Sequence, residues 1–371
     1  MTEEISNIAK TICLNMIVKN ESGIILDTLK SMADYVDYYV ICDTGSTDNT
    51  IELIRSFFDS KGIHGEIHEI EFKNFEYARN TALKFAQESK ENFDYIFFSD
   101  ADMELKVLDN KFKHCLDKDW YEVLWNRYSY LRYYTSRLLK KNACAKWIGV
   151  VHEYLKCEGT CAKLNSIYVN EDSATVRNVV EKTEMYIKLL EKGIEDEPDN
   201  ERYYFYLAQS YFDIKQYKKA IEYYNKRISM GRWEEEVFYS YYRIGLSKKY
   251  LNEDESQILK AFIDCYNYRP SRAEPLYELA FYYRCLSKFP AGYMFAKAAL
   301  GIPYPKSDTL FVGEDIYEFK LIDEFSVCAY WVEKYKESFE ACKYLLESGK
   351  LPEDCKERVQ QNLKFAADFC K

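Results

Sequence analysis

The chain has 371 residues and a net charge of −10, with 47% apolar and 30% charged residues of mixed sign. This composition is typical of a soluble globular protein of two or three domains, and the lack of a basic block argues against nucleic-acid binding. The polar start MTEEISNIAK, the lack of an apolar run near the roughly 18 residues that cross a bilayer, and twelve cysteines without a CxxC pair predict a cytoplasmic protein with reduced thiols and no membrane span.

Strand-like and helix-like segments alternate through the first hundred residues. Strands are predicted at residues 11–18, 38–42, 67–72 and 95–99. Apolar residues at helical spacing predict helices at residues 22–33 and 75–87, and a third that begins at Asp48 or Asn49. This alternation indicates βαβ units and a largely parallel sheet, whose ligands bind beyond the carboxyl ends of the strands. Residues 120–170 look like shorter, less regular strands that complete a mixed α/β domain over residues 1–178.

Beyond residue 180 the strand signal disappears and a helical repeat begins. A small residue is followed by an aromatic residue nine positions later and by a second small residue twelve positions later, starting at Ala208, Ala280 and Ser326. A fourth copy, Gly245 with Ala261, has a longer turn. Small residues let paired helices approach closely, and the spacing resembles tetratricopeptide repeats. We therefore predict an all-α helical-hairpin domain over residues 179–371, with a groove for a peptide or for another subunit, including a second copy of this chain.

Two carboxylates, Asp100 and Asp102, directly follow the apolar segment YIFFS. On an extended segment both can turn toward one cation, and Mg²⁺ or Mn²⁺ prefers such oxygen ligands while keeping positions for diphosphate oxygens. The alternative is a pair of solvated loop carboxylates. Asp43 ends the second predicted strand, where it can accept a hydrogen bond from a nucleoside or instead cap the following turn.

Four motifs in this region resemble glycosyltransferase family 2 in order and spacing. They are VKNE at residues 18–21, DTGSTD at 43–48, NFEYARN at 74–80 and DAD at 100–102. The resemblance implies a GT-A fold, which is Rossmann-like with a mixed, mostly parallel sheet, and a nucleotide-sugar donor. It implies donor contacts at Asn20, Glu21, Asp43, Arg79 and Asp100, and a metal bound by Asp100 and Asp102.

A further segment, WIGVVHE at residues 147–153, is similar to one in a subset of this family that carries C-terminal helical repeats and includes the bacteriocin S-glycosyltransferases. An inverting transfer needs a base for the acceptor proton, and the metal has room for a third protein ligand. Glu153 is the predicted base and His152 the predicted metal ligand or nucleotide contact, with the roles reversible. In the alternative interpretation Trp147 and His152 are core residues with one hydrogen bond each. Relatives often carry another His where this chain has Glu171 and Asp172, so these carboxylates are further candidates.

The resemblance predicts a metal-dependent, inverting glycosyltransferase that moves a sugar from a nucleotide sugar, most simply a UDP-sugar, to a protein, peptide or glycan acceptor. A sugar-nucleotide pyrophosphorylase would need a glycine-rich loop ending in Arg near the first strand, where this chain has VKNESG. The remaining alternative is a non-catalytic repeat scaffold with a relic sugar-nucleotide domain. A relic should have lost a carboxylate, whereas all four expected acidic positions are present: Glu21, Asp43, Asp100 and Asp102.

Overall fold

The computed structural model describes residues 8–127, 131–171 and 179–370. The chain divides into two compact units, Met1–Gly193 and Ile194–Lys371. Helix α4 (Val179–Asp196) contains the point of division. The boundary expected after residue 178 lies at the start of this helix and stays a prediction.

The first unit is built on one large sheet. Its described strands are β1 (Ile12–Val18), β2 (Tyr38–Asp43), β3 (Gly65–Glu69), β4 (Tyr95–Phe98), β5 (Met103–Val107), β6 (Trp120–Arg127), β7 (Leu131–Lys140), β8 (Ala145–Ile148), β9 (Tyr154–Cys157) and β10 (Cys161–Glu171). Eight of them pair in the order β3-β2-β1-β4-β7-β6-β10-β5, and β8 pairs with β9 in a separate hairpin. The first four strands run parallel, and β7 joins β4 antiparallel. The predicted mixed, mostly parallel and Rossmann-like sheet is thus confirmed.

Helices cover both faces of this sheet because their apolar residues recur at helical spacing. On one face α1 (Ile25–Met32) and α2 (Thr50–Lys61) bury side chains such as Leu29 and Phe58, both fully inaccessible. On the other face α3 (Phe75–Glu88) buries Leu83 and Ala86 against a cluster that includes Trp147 of β8. From β1, the chain adds β2 and β3 on one side and then β4 on the other side. The position between β1 and β4 is therefore the switch point where ligands bind in such folds.

Two strand predictions differ from the structure. The third strand occupies Gly65–Glu69 rather than residues 67–72, and it is a half-buried edge strand in which Gly65 lies against Tyr39. Residues 120–170 hold two short strands as predicted, β8 and β9 with four residues each, but also longer ones, with eight residues in β6, ten in β7 and eleven in β10. Register shifts interrupt the pairings of β6 with both neighbours, and such bulges break the two-residue alternation that identifies strands in a sequence.

The second unit consists of helical hairpins. Its described helices are α5 (Glu201–Asp213), α6 (Tyr217–Met230), α7 (Glu234–Tyr250), α8 (Glu255–Tyr268), α9 (Glu274–Cys285), α10 (Phe289–Leu300), α11 (Leu321–Trp331), α12 (Tyr335–Glu347) and α13 (Glu353–Ala367), with a π-helix at Ile316–Lys320. The predicted small residues lie at the helix contacts. A Cβ on Gly245 would come within 2.6 Å of Phe262, and one on Gly292 within 2.8 Å of Cys328 Sγ. The prediction of an all-helical hairpin domain is confirmed.

Two further expectations bear on the whole chain. All twelve cysteines are free thiols in the structure. None of the described helices is both long enough and apolar enough to cross a bilayer.

Candidate functional site

The loops that follow β1 and β2 are tied together at the carboxyl edge of the sheet. The Asp43 carboxylate accepts hydrogen bonds from the Ser46 hydroxyl at 2.5 Å and from the Ser46 and Gly45 backbone N–H groups at 3.0 and 3.3 Å. The Asn20 side-chain oxygen accepts from the Thr47 N–H at 2.7 Å. Asp43 and Asn20 therefore shape this turn, as the turn-capping alternative for Asp43 predicted. Their contact with a nucleoside stays a prediction.

Glu21 and Asp48 fix the starts of the two helices beside that turn. The Glu21 N–H donates to the Thr50 hydroxyl at 2.7 Å, and its carbonyl accepts from the Ile25 N–H at 2.9 Å. Asp48 accepts from the Ser22 N–H at 3.2 Å and from the Thr50 hydroxyl at 2.5 Å. Burial acts to raise the pKa of Asp48, but these hydrogen bonds outweigh it and lower the pKa to about 2. This arrangement gives Asp48 the structural role that the capping pattern indicates.

The NFEYARN motif holds the β8–β9 hairpin against α3. Asn74 caps α3 by accepting a backbone hydrogen bond at 2.7 Å. Glu76 accepts from the Gly149 N–H at 2.7 Å. Asn80 both donates to the Trp147 carbonyl and accepts from its N–H, each at 2.9 Å. The motif thus positions the loop that carries His152 and Glu153.

Arg79, on the same helix, is the centre of the site. Its Nη2 donates to Asp100 Oδ1 at 2.5 Å, its Nε donates to Glu153 Oε1, and its guanidinium lies 4.9 Å from the centre of the Trp147 ring. The Arg79 side chain is only 12% exposed, and the Glu153 side chain is 11% exposed. Both carboxylates raise the pKa of Arg79 against the opposing effect of burial. Residues from three of the sequence motifs therefore meet at one guanidinium.

Arg137 of β7 is a member of this cluster that the sequence prediction missed. Its Nη1 lies 3.6 Å from Asp100 Oδ2, its guanidinium stacks 4.8 Å from the centre of the Trp125 ring, and its Nε donates to the Thr135 hydroxyl at 3.1 Å. Burial acts to raise the pKa of Asp100, but the two arginines outweigh it and lower the pKa to about 2. The only hint in the sequence is a charged residue next to the apolar pair Leu138-Leu139 in a strand.

His152 and Glu153 project from the loop between β8 and β9. His152 is exposed and has a left-handed backbone with φ of 50°, which is uncommon outside glycine. Its ring lies 5.5 Å from that of Tyr186 on α4, edge to face. His152 is therefore not a core residue, so that alternative is wrong, while Trp147 is buried as it predicted. Glu171 ends β10 opposite Met103, the residue after Asp102, whereas Asp172 lies outside the described residues.

The described structure offers few protein side chains as ligands for a metal ion. In the part of the chain that the structure describes, no group of three or more His, Cys, Asp or Glu side chains is arranged to hold a metal ion. The predicted set of Asp100, Asp102 and His152 is thus not brought together as a ready three-ligand site. Mg²⁺ and similar ions are commonly held by one or two carboxylates together with substrate phosphates. Asp102 fits a divalent cation in that arrangement, with a diphosphate present, whereas both oxygens of Asp100 already pair with arginines.

The fold and the site define an α/β domain with charged side chains gathered near the carboxyl ends of parallel strands, which is where ligands bind in such folds. Residues 13–112 match the family model for glycosyl transferase family 2. This part of the chain is therefore similar to glycosyl transferase family 2.

Two curated proteins are similar to more than this domain. They are the SPbeta prophage-derived glycosyltransferase SunS of Bacillus subtilis strain 168 and the glycosyltransferase SunS of Bacillus phage SPbeta. Each is 28% identical over 235 residues, which cover 59% of this chain and 53% of the relative. The chain thus spans about half the length of these relatives.

Solved structures of helical-repeat proteins align with about half of the chain. The crystal structure of MamA covers 53% of this chain and 98% of its own at 15% identity, with a TM-score of 0.34. The thermophilic TPR protein TTC0263 of Thermus thermophilus covers 50% and 98% at 15% identity, with a TM-score of 0.33. The helical-repeat fold rests on the hairpins of the chain itself.

Proposed function

We propose that this protein is a glycosyltransferase that moves a sugar from a nucleotide-sugar donor, a UDP-sugar, to a polypeptide or glycan acceptor with inversion at the anomeric carbon. The observation that carries the proposal is the bridge made by Arg79 between Asp100 and Glu153. It unites three motifs at the carboxyl edge of the sheet, where a donor would bind. Its family domain and the two glycosyltransferase relatives support the same activity.

The loops after β1 and β2 provide the nucleoside end of the proposed site. Glu21 is 8% exposed and Asp43 is 5% exposed, and both lie where strands end at the switch point. Asn20 holds the turn that contains Ser46 and Thr47 in place. This arrangement prepares a rigid edge for the base and ribose, so that little ordering is left to be done on binding.

The diphosphate end of the proposed site lies at the DAD motif. Asp102 would hold a divalent cation, Mn²⁺ or Mg²⁺, together with diphosphate oxygens. The cation would neutralise the negative charge that develops on the leaving diphosphate. Arg79 and Arg137 keep Asp100 ionised just beyond the carboxyl end of β4.

Glu153 is the proposed base, and its ion pair defines how it would work. Oε1 accepts a hydrogen bond from Arg79, so Oε2 is the oxygen that would take the proton from the acceptor substrate. Arg79 holds the carboxylate in one orientation, which is what a positioned base requires. His152, exposed on the same loop, takes the role of base in the reversed assignment.

The helical repeats are proposed to hold the acceptor or to join a second copy of the chain, because stacked hairpins present an extended concave surface. Twelve free thiols support a reducing compartment, the cytoplasm, as the place of action.

Donor turnover tests the proposal directly. The full chain is incubated with UDP-, GDP- and TDP-sugars in Mn²⁺ or in EDTA, and released nucleotide and thermal shift are measured. Asp102→Asn is compared with Asp27→Asn, a control at a carboxylate that is 85% exposed. We expect turnover of one donor that requires metal, is lost in Asp102→Asn and persists in the control. If no donor binds in the presence of metal, the transferase proposal fails and the non-catalytic scaffold takes its place.

A further inference from the structure

Strand β7 contains a β-bulge at Arg137. Its pairing with β6 passes directly from Leu138 to Ser136 and skips Arg137. Its pairing with β4 ends at Leu138, which lies opposite Phe97, three residues before Asp100. Bulges redirect a side chain and are over-represented next to active sites. Arg137 therefore lies where β7 leaves β4, beside the end of the strand that leads to Asp100.

The Arg137 side chain is fixed by contacts on three sides. Its guanidinium lies 4.8 Å from the centre of the Trp125 ring, its Nε donates to the Thr135 hydroxyl at 3.1 Å, and its Nη1 lies 3.6 Å from Asp100 Oδ2. The side chain is only 6% exposed. Burying a guanidinium carries a large desolvation cost, and apolar side chains can often replace a buried ion pair without loss of stability. Stability alone therefore does not explain a buried arginine at this position.

Arg79 divides one edge of its guanidinium between two carboxylates. Its Nη2 donates to Asp100 Oδ1 at 2.5 Å, and its Nε donates to Glu153 Oε1. An arginine and a single carboxylate frequently pair instead through two parallel hydrogen bonds, which is a strong and geometrically specific arrangement. In the described structure Asp100 and Glu153 each receive one hydrogen bond from Arg79. The divided arrangement therefore needs a reason why Asp100 does not accept both.

Arg137 provides that reason, because it attracts the other oxygen of Asp100. The separation of 3.6 Å exceeds an ordinary hydrogen-bond length, so Arg137 acts on Oδ2 as a positive charge. To accept both hydrogen bonds from Arg79, Asp100 would have to turn Oδ2 away from that charge. Separating opposite charges costs more in a partly buried site than in water. The Nε of Arg79 is thus left for Glu153.

We propose that Arg137 is a positioning residue that acts through Asp100 and Arg79 to hold the Glu153 carboxylate in its orientation. Without a positive charge at residue 137, Asp100 accepts both hydrogen bonds from Arg79, and Glu153 loses its partner. The consequence for sugar transfer rests on the proposed function, in which Glu153 is the base. The effect of residue 137 on the contact between Arg79 and Glu153 does not depend on that function.

Double-mutant cycles in three backgrounds test this role. The free energies of unfolding of the full chain with Arg79→Ala, Glu153→Ala and both changes are measured in urea, in the parent protein, in Arg137→Met and in Arg137→Lys. Methionine fills similar space without charge, whereas lysine keeps the charge. We expect the coupling between Arg79 and Glu153 to persist with lysine. With methionine it should fall to that of the exposed pair Lys84 and Glu88, which are 3.9 Å apart.

A second comparison tests whether the effect passes through Asp100. In an Asp100→Asn background the carboxylate that competes for Arg79 is gone, so Arg137→Met should no longer change the coupling between Arg79 and Glu153. Arg137→Gln is measured beside Arg137→Met, so that a second neutral variant is at hand if one of them does not fold. Circular dichroism reports folding of each variant.

Donor turnover of the same variants measures the consequence for transfer. Arg137→Met should lower kcat about ten- to hundredfold, because a base that is no longer held in place is often out of position. Arg137→Lys should recover most of that loss, which a role in packing alone would not predict. The control is Lys140→Met, which removes an exposed cation from the same strand and should change neither the coupling nor kcat.

The role of Arg137 is overturned if the coupling between Arg79 and Glu153 survives in the neutral variants, or if Arg137→Lys loses as much of it as Arg137→Met. It is also overturned if Arg137→Met still changes the coupling when Asp100 is asparagine. A parent protein that turns over no donor contradicts the proposed function instead, and the coupling in the three backgrounds then decides the role of Arg137 by itself.

Discussion

The ion pair between Arg79 and Glu153 is open to a double-mutant cycle. Both side chains are nearly buried, at 12% and 11% exposed, so Arg79→Ala leaves the Glu153 carboxylate without its partner. Removing one partner of a buried pair costs roughly 3–5 kcal/mol. Asp100 keeps Arg137, so we expect a loss near the lower limit, about 3 kcal/mol. Glu153→Ala should then cost little in the Arg79→Ala background, which gives a coupling energy of about 1–3 kcal/mol.

Urea denaturation followed by tryptophan fluorescence and circular dichroism measures these free energies, with separate transitions fitted for the two units. The pair Lys84 and Glu88 on the same helix is the control, since it is 68% and 63% exposed with a separation of 3.9 Å. Its alanine cycle should show a coupling of roughly 0.5 kcal/mol or less. If Arg79 and Glu153 prove additive to within about 0.3 kcal/mol, they do not interact and the centre of the site is wrongly assigned.

Three further perturbations test other parts of the molecule. The pKa of Asp100 is lowered from 3.8 to about 2, so its ionisation contributes about 2 kcal/mol to the free energy of unfolding above pH 4, and this contribution is lost as the pH falls toward 2. Asp100→Asn should abolish this loss of stability in acid titrations, and a titration like that of the parent protein would contradict the expectation. Gly245→Ala should lower the free energy of unfolding by about 1–3 kcal/mol, because its Cβ would come within 2.6 Å of Phe262. Gly301→Ala has an ordinary contact at 3.4 Å and should change thermal melts little, so equal shifts in Tm would refute the close packing. Asn80→Ala removes both side-chain hydrogen bonds to β8 and should speed amide hydrogen exchange in the β8–β9 hairpin, measured by mass spectrometry. Unaltered protection of these amides would show that other contacts hold the hairpin.

The parts of the fold that the sequence predicts well are those that local patterns determine. β1 and β4 are nearly continuous apolar runs because both faces of the sheet are covered, and their predicted bounds are correct to within one residue. The small residues of the repeat are recognisable because close helix contact excludes larger side chains, as at Gly245. β3 lies at the edge of the sheet and is only half-buried, so its apolar residues mark its bounds poorly.

The site is predictable as far as its residues follow strand ends or fall in compact motifs. Arg79 and Asp100 belong to such motifs, whereas Arg137 enters through the antiparallel pairing of β7 with β4, which sets Leu138 opposite Phe97. That pairing joins residues about forty positions apart, and no local pattern encodes it. The ion pair of Glu153 could not be predicted for the same reason, because the β8–β9 hairpin reaches Arg79 only through its hydrogen bonds to α3.

The charges of the cluster explain why metal dependence is part of the proposal. Arg79 and Arg137 carry two positive charges, and Asp100 and Glu153 carry two negative charges, so the four side chains are neutral as a group. A diphosphate that enters beside them finds no uncompensated positive charge in this cluster. Its charge must be met from outside the four residues, and transition-state stabilisation depends on that compensation being in place before the bond breaks. A divalent cation at Asp102 meets the requirement without breaking either pair of Arg79, which is why the comparison of Mn²⁺ with EDTA discriminates most sharply between the transferase and a scaffold.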